Sequence, residues 1–156
     1  MHMGNTVGRR LSSTDKAYLA GFIDGDGSVM ACIEKHPEKK FGFRVRVSVK
    51  ITQHHQKDVA WLPEMTGLGR IRPNRRAYEW IVLDQNAIPH LLAQLQPYAR
   101  VKHKQMEIAC QILKTNTQTL AGLQSAAHLA DELSQYNVRS HNRRKNYAIV
   151  LEKSSP

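Results

Sequence analysis

Between residues 43 and 53 apolar and polar positions alternate without a break. Phe43, Val45, Val47, Val49 and Ile51 fall on one side, and Arg44, Arg46, Ser48, Lys50 and Thr52 on the other. A period of two predicts a half-buried strand with a polar, basic outer face. At ~3.3 Å per residue the strand is about 35 Å long, close to one turn of B-DNA. Upstream, Ser12, Ser13 and Thr14 offer N-caps for a helix over residues 15–24, which Gly25-Asp26-Gly27 should break. Residues 28–34 read as a strand, and His36-Pro37 opens a polar turn that runs to Lys40. Downstream, residues 56–66 read as a short helix disturbed at Pro63. Residues 68–72 and 78–83 read as a hairpin turned by Pro73-Asn74-Arg75-Arg76. Helices are expected over 86–95, 104–114 and 119–136, then a basic tail over 138–145 and a last helical piece before Lys153. Helix, two strands, helix, two strands and further helices make an α+β chain with one sheet whose outer face carries the charge.

The chain has 156 residues, enough for one domain with a real core. Residues 13–156 are expected to form it. Residues 1–12 are expected to stand outside as a disordered or cloning-derived N-terminus. No apolar run predicts a membrane span, and the first residues lack the apolar stretch of a secretory signal. Cys32 and Cys110 have no CxxC partner and read as small, apolar-flanked side chains. Twenty-three Lys and Arg against thirteen Asp and Glu leave a charge of +10. That balance favours a polyanionic partner, nucleic acid or acidic membrane.

The chemistry concentrates in Leu19-Ala20-Gly21-Phe22-Ile23-Asp24-Gly25-Asp26-Gly27. On a helix Ala17, Gly21 and Gly25 line up four apart, a stripe along which two helix backbones can approach closely. Asp24 and Asp26 stand at the helix C-terminus, the negative pole of its macrodipole, where carboxylates are disfavoured. If two such helices pack together, the carboxylates also crowd each other unless divalent cations neutralise them. Paired carboxylates on a basic surface suit metal-assisted phosphodiester hydrolysis, and Mg²⁺ is content with one or two of them. A calcium loop does not fit, because its glycine position falls on Val29 and its closing glutamate on Lys35.

This segment resembles the motif of the LAGLIDADG homing endonuclease family, in its single-motif, homodimeric, I-CreI-like form. The similarity extends through the strand of residues 43–53, Gly67-Leu68-Gly69, Leu95-Gln96-Pro97-Tyr98, Lys102-His103-Lys104-Gln105 and the terminal Lys153-Ser154-Ser155-Pro156. The resemblance implies an αββαββα fold, with a four-stranded antiparallel saddle sheet in the DNA major groove and C-terminal helices behind it. It implies a homodimer packed through Ala17, Ala20, Gly21, Asp24 and Gly25. Asp26 would be the catalytic metal-binding carboxylate and the Gly25 carbonyl a second ligand. Gln53, Lys57 and Lys102 would order water and phosphate around Mg²⁺, for which Mn²⁺ should substitute; Lys57 stands where the family relative has arginine. Base-reading positions carry over to Cys32, Glu34, His36, Arg44, Arg46, Ser48, Lys50, Arg70, Arg72, Asn74, Glu79 and Ile81. Backbone-contacting positions carry over to Arg139, Ser140, Asn142, Arg143, Arg144 and Lys145. The implied activity is a site-specific double-strand break in a long pseudo-palindromic DNA target, serving intron mobility in an organelle of the chloroplast type or a bacterial cytoplasm. An RNA-binding intron maturase, or a DNA binder that does not cut, would use the same fold.

Charge and spacing agree with that implication. Arg44, Arg46 and Lys50 share one strand face, Arg70 and Arg72 repeat the pattern on another, and arginine pairs bidentately with guanine. Three other signals lead elsewhere and fail. Leu120-Ala121-Gly122-Leu123 imitates a second motif, but its acid positions fall on Ser125 and Ala127, and too little chain follows for another sheet. It reads as a core helix, so any two-fold symmetry must come from dimerisation. His141-Asn142 has no upstream histidine to make an HNH nuclease, and His54-His55 has no partner at zinc spacing. Trp61 and Trp80 read as core or interface aromatics.

Overall fold

The computed structural model describes residues 7–137 and 145–154. Helix α1, Ser13–Asp26, begins where Ser12 Oγ accepts the Asp15 N–H, and it buries Leu19, Ala20 and Ile23. It runs through Gly25 and Asp26, past the expected break, because the crowded position is the next one. A Cβ on Gly27 would sit 2.7 Å from Ile23 Cα and 3.0 Å from the Lys50 carbonyl. Only a glycine lets the chain leave the helix there and enter β1, Gly27–Lys35, directly.

β1 pairs with β2, Phe43–Gln53, across the polar turn. The segment expected as one short helix is a 3-10 turn, Gln56–Asp58, followed by α2, Leu62–Thr66, with Pro63 in its first turn. β3, Arg70–Asn74, and β4, Ala77–Val82, form the hairpin, with its turn tightened to Arg75-Arg76. Arg75 takes the left-handed conformation, φ 57°. Gly69 also has positive φ, and a Cβ there would meet Trp80 Nε1 at 2.5 Å. The Trp80 indole donates to the Leu68 carbonyl at 2.9 Å, which fixes the strand entry.

The sheet is antiparallel throughout, in the order β1-β2-β4-β3. Its inner face, with Val29, Val47, Val49, Ile51, Trp80 and Val82, packs with α1 and with α3 (Ile88–Leu95) and α4 (His103–Lys114) into one core. Past the end of β4, the Gln85 side chain takes a strand's place on β2: its Oε1 accepts the Val47 N–H and its Nε2 donates to the Val47 carbonyl. The imitation motif lies on α5, Leu120–Gln135, and is a core helix as expected: Leu123, Ala126 and Ala127 are buried. α6, Asn146–Ser154, starts against Asp131, whose carboxylate accepts the Asn146 and Tyr147 N–H groups. Buried Asn146 in turn accepts the Ile33 N–H, which ties the last helix to β1. The helix and sheet order match the αββαββα expectation.

The expectation that everything before residue 13 stands outside the domain is corrected. Arg9 donates to the Thr66 carbonyl, Leu11 donates to Gln94 Oε1, and Leu11 is buried in the core. The apolar side chain of Leu11 and these backbone bonds draw the strap before α1 onto the body.

Candidate functional site

The end of α1 presents two acids in different circumstances. Asp24 is engaged with its own chain: Oδ2 accepts the Arg100 N–H at 2.7 Å and Oδ1 accepts the Lys102 N–H at 2.9 Å. Partial burial pushes its carboxyl pKa up, but the backbone donors of Arg100, Lys102 and Val101 and the Lys102 charge outweigh that and hold it below the usual range. Lys102 donates its ammonium to the Asp24 carbonyl at 2.8 Å, so this lysine stands at the motif's C-terminal end. Asp26 is exposed and receives one side-chain bond, from Gln53 Nε2 at 3.1 Å. The end of β2 therefore delivers Gln53 to the acid, with the amide also anchored on the Thr52 carbonyl. Lys57 lies exposed on the 3-10 turn just beyond β2.

The outer sheet face gathers the basic residues. Strand register places Cys32 opposite Arg46, Glu34 opposite Arg44, Lys50 opposite Ile81, and Arg72 opposite Glu79. Ser48, Arg70 and Asn74 share that side by the alternation of the strands. Two carboxylates knot the bases together. Glu34 takes Arg44 and Arg46, and Glu79 takes Arg72, Asn74 and the Lys50 ammonium. Burial pushes the Glu34 pKa up, but the two arginines outweigh it and hold the carboxyl below its ordinary range. Two expected base readers are corrected: Glu79 is 0% exposed and held by Arg72, Asn74 and Lys50, and Ile81 is 4% exposed, in register between Lys50 and Arg70. They support the surface rather than form it. His36 lies in the β1–β2 turn, where its N–H donates to the Gly42 carbonyl.

Along α1, Ala17, Gly21 and Gly25 are exposed. A Cβ on Gly21 or Gly25 would meet nothing within 4 Å, so nothing in the described part of this chain requires glycine there. Ala20 belongs to the opposite side: at 0% exposure it is a core residue, and the expectation that it lies on an interface is corrected by helix phase. Asp24, also expected at the interface, directs its carboxylate inward to the backbone before α4. Beside the stripe stands an aromatic group that the sequence did not single out as a unit. Tyr18, 59% exposed, meets Phe22 and Trp61 edge-on, and Phe22 stacks on Trp61.

The family model described as LAGLIDADG endonuclease matches residues 19–113. The chain belongs to the LAGLIDADG endonuclease family. It is 32% identical over 101 residues to DNA endonuclease I-CreI of Chlamydomonas reinhardtii, covering 62% of this chain and 61% of that relative. It is 32% identical over 122 residues to DNA endonuclease I-CvuI of Chlorella vulgaris, covering 75% of this chain and 76% of that one. The crystal structure of I-CvuI in complex with the I-CreI target in the presence of Mg superposes with a TM-score of 0.81 at 28% identity, covering 90% of this chain and 94% of that chain.

Oxygen donors suited to a hard divalent ion stand at the end of this LAGLIDADG helix: the Asp26 carboxylate and the Gly25 backbone carbonyl, both on exposed residues. Among the described residues no three His, Cys, Asp or Glu side chains cluster as a metal site. The Asp26 carboxylate and the Gly25 carbonyl are hard oxygen donors of the kind a divalent ion takes alongside water and phosphate oxygens. Of the expected backbone-contacting residues, Lys145 is exposed just before α6, while Arg139, Ser140, Asn142, Arg143 and Arg144 lie outside the described residues. No described helix is long and apolar enough to cross a membrane.

Proposed function

We propose that the chain is a site-specific DNA endonuclease that works as a homodimer and cuts both strands of a long, near-palindromic target with Mg²⁺. The observation that carries this reading is Asp26: an exposed acid at the foot of the glycine-lined helix, held by Gln53, at one end of a basic sheet face. Two chains packed along Ala17, Gly21 and Gly25 would bring their Asp26 residues to one centre. Each sheet would then lie in the major groove of half the target, with Arg44, Arg46, Lys50, Arg70 and Arg72 toward the bases. The family membership and the DNA-bound state of the I-CvuI structure support this docking.

In this reading Asp26 and the Gly25 carbonyl hold Mg²⁺, with Mn²⁺ as a substitute. Bound there, the ion supplies charge neutralisation and a more acidic water. Gln53 orients the Asp26 carboxylate through its amide N–H. Lys57 and Lys102 lend positive charge to the phosphate being cut. Asp24 keeps the motif's end docked on the backbone before α4. We place the biological role in intron mobility, in an organelle or a bacterial cell.

Cleavage of a randomised palindromic DNA library in Mg²⁺, with the cut ends sequenced, tests the activity. A single enriched site with short 3′ overhangs is expected. Failure to cut any member in Mg²⁺ or Mn²⁺, together with tight binding of an intron RNA, would replace the reading with a maturase.

A further inference from the structure

Glu34 is a carboxylate on a face that should meet a polyanion, so its presence there needs a reason. It stands on β1, and both of its oxygens are engaged. Arg44 Nε and Nη2 each approach Glu34 Oε2 at 2.9 Å. Arg46 Nη1 lies 3.3 Å from both Oε1 and Oε2, and Cys32 Sγ is 3.7 Å from Oε1. All three ionic side chains remain partly open, at 29% for Glu34, 39% for Arg44 and 31% for Arg46.

The geometry divides each guanidinium into used and unused donors. Arg44 gives one edge, Nε with one Nη2 hydrogen, to the carboxylate; among the described residues its end-on edge, Nη1 with the second Nη2 hydrogen, remains for another acceptor. Arg46 gives only Nη1, so its Nε and Nη2 hydrogens remain. An unsupported arginine on a strand samples many rotamers and is drawn to the nearest phosphate. A carboxylate between two of them fixes their planes and repels phosphate, while the trio keeps a net positive charge. The acceptors that then suit the remaining donors are the O6 and N7 of guanine in the major groove.

We propose that Glu34 is a specificity-determining positioning residue that sets Arg44 and Arg46 as a paired guanine reader far from the cut. The inference rests on the endonuclease reading above. From Asp26 to Glu34 the chain advances eight residues, ~26 Å at ~3.3 Å per strand residue. That is about eight base-pair steps along B-DNA at ~3.4 Å each. Glu34 is not itself the reader, because a base would have to displace two arginines to reach it. The second knot, Glu79 with Arg72 and Lys50, lies across the sheet on β4, β3 and β2 and serves as the internal comparison.

The test is cleavage of the randomised palindromic library by the wild type and by Glu34→Gln, which keeps the side chain's size and removes its charge. The wild type should enrich guanine at two nearby positions about six to eight base pairs from the cut. Glu34→Gln should lower that enrichment about tenfold at both positions together, the order of one lost bidentate contact. It should leave the positions facing Arg70 and Arg72 unchanged and bind non-specific DNA more tightly. Wild-type enrichment of a base other than guanine there overturns the proposal, as does an unchanged profile in Glu34→Gln. A change confined to one position also overturns it, by making Glu34 a direct reader. If the wild type cuts no library member, the endonuclease reading itself fails and takes this inference with it; a cut library with an unaltered Glu34→Gln profile defeats the inference alone.

Discussion

Asp24 and Lys102 hold each other in both directions: the Lys102 N–H donates to the Asp24 carboxylate at 2.9 Å, and the Lys102 ammonium donates to the Asp24 carbonyl at 2.8 Å. A carboxylate at the C-terminal pole of α1 would ordinarily be disfavoured. Here it meets the backbone donors of Arg100 and Lys102, in the segment that leads into α4. The exchange ties the motif helix to the following layer. It also separates the two neighbouring acids by role, since Asp24 is satisfied within the chain and Asp26 faces outward.

Replacing Asp24 with Asn should destabilise the fold by about 1–3 kcal/mol, because the amide offers one oxygen to two N–H donors. Denaturant unfolding of both proteins across pH measures it. The folded pKa of Asp24 is depressed, so its contribution is fully present above the ordinary carboxylate value of about 4 and is lost as pH falls through the folded value. The stability gap between wild type and Asp24→Asn should therefore be flat from neutral pH to about 5 and close below about 4. A gap that widens on acidification would count against this assignment.

Gly21→Ala separates the fold from the assembly. An added Cβ meets nothing within 4 Å in the described structure, and alanine favours a helix over glycine by about 1 kcal/mol. The isolated chain should thus be as stable as the wild type or more so. Association should weaken by about tenfold or more, because two extra methyl groups would hold the helices apart. Sedimentation over a concentration series reads this directly, and a variant that dimerises as tightly as the wild type would exclude α1 from the interface.

Gln53→Ala removes the hydrogen bond that orients Asp26 and little else, since its other bond is to the adjacent Thr52 carbonyl. Cleavage should slow by roughly 10–100-fold, as for other partners of metal-binding side chains, with target affinity and thermal midpoint nearly unchanged. Single-turnover rates at saturating enzyme check it. An equal loss in binding would mean that Gln53 contacts DNA instead.

The sheet was legible because its strands alternate. Period two over residues 43–53 puts Arg44, Arg46, Ser48 and Lys50 on one face, while their partners on the neighbouring strands come only from the fold. Depth on that face was not legible. Glu79 and Ile81 have the right parity, but both are buried, which depends on neighbours across two strands. The end of α1 misled for a similar reason. Gly25-Asp26-Gly27 looks like a turn, yet the steric demand falls on Gly27 alone, from Ile23 and from Lys50 on another strand. The partners of Asp24 lie more than seventy positions away and leave no trace in local pattern. Ala20 and Gly21 are adjacent small residues that only the helix phase separates into core and surface.

If Asp26 carries the chemistry and the sheet carries the binding, Asp26→Asn on the selected target separates the two. Gel-shift affinity and Mg²⁺-dependent cleavage should be followed side by side. Binding should stay within a few-fold of wild type, while the cleavage rate should fall by on the order of a hundredfold or more, the scale expected when a group that stabilises the transition state is removed. An Asp26→Asn protein that cuts both strands at the wild-type rate in Mg²⁺ would mean that Asp26 is not the catalytic carboxylate.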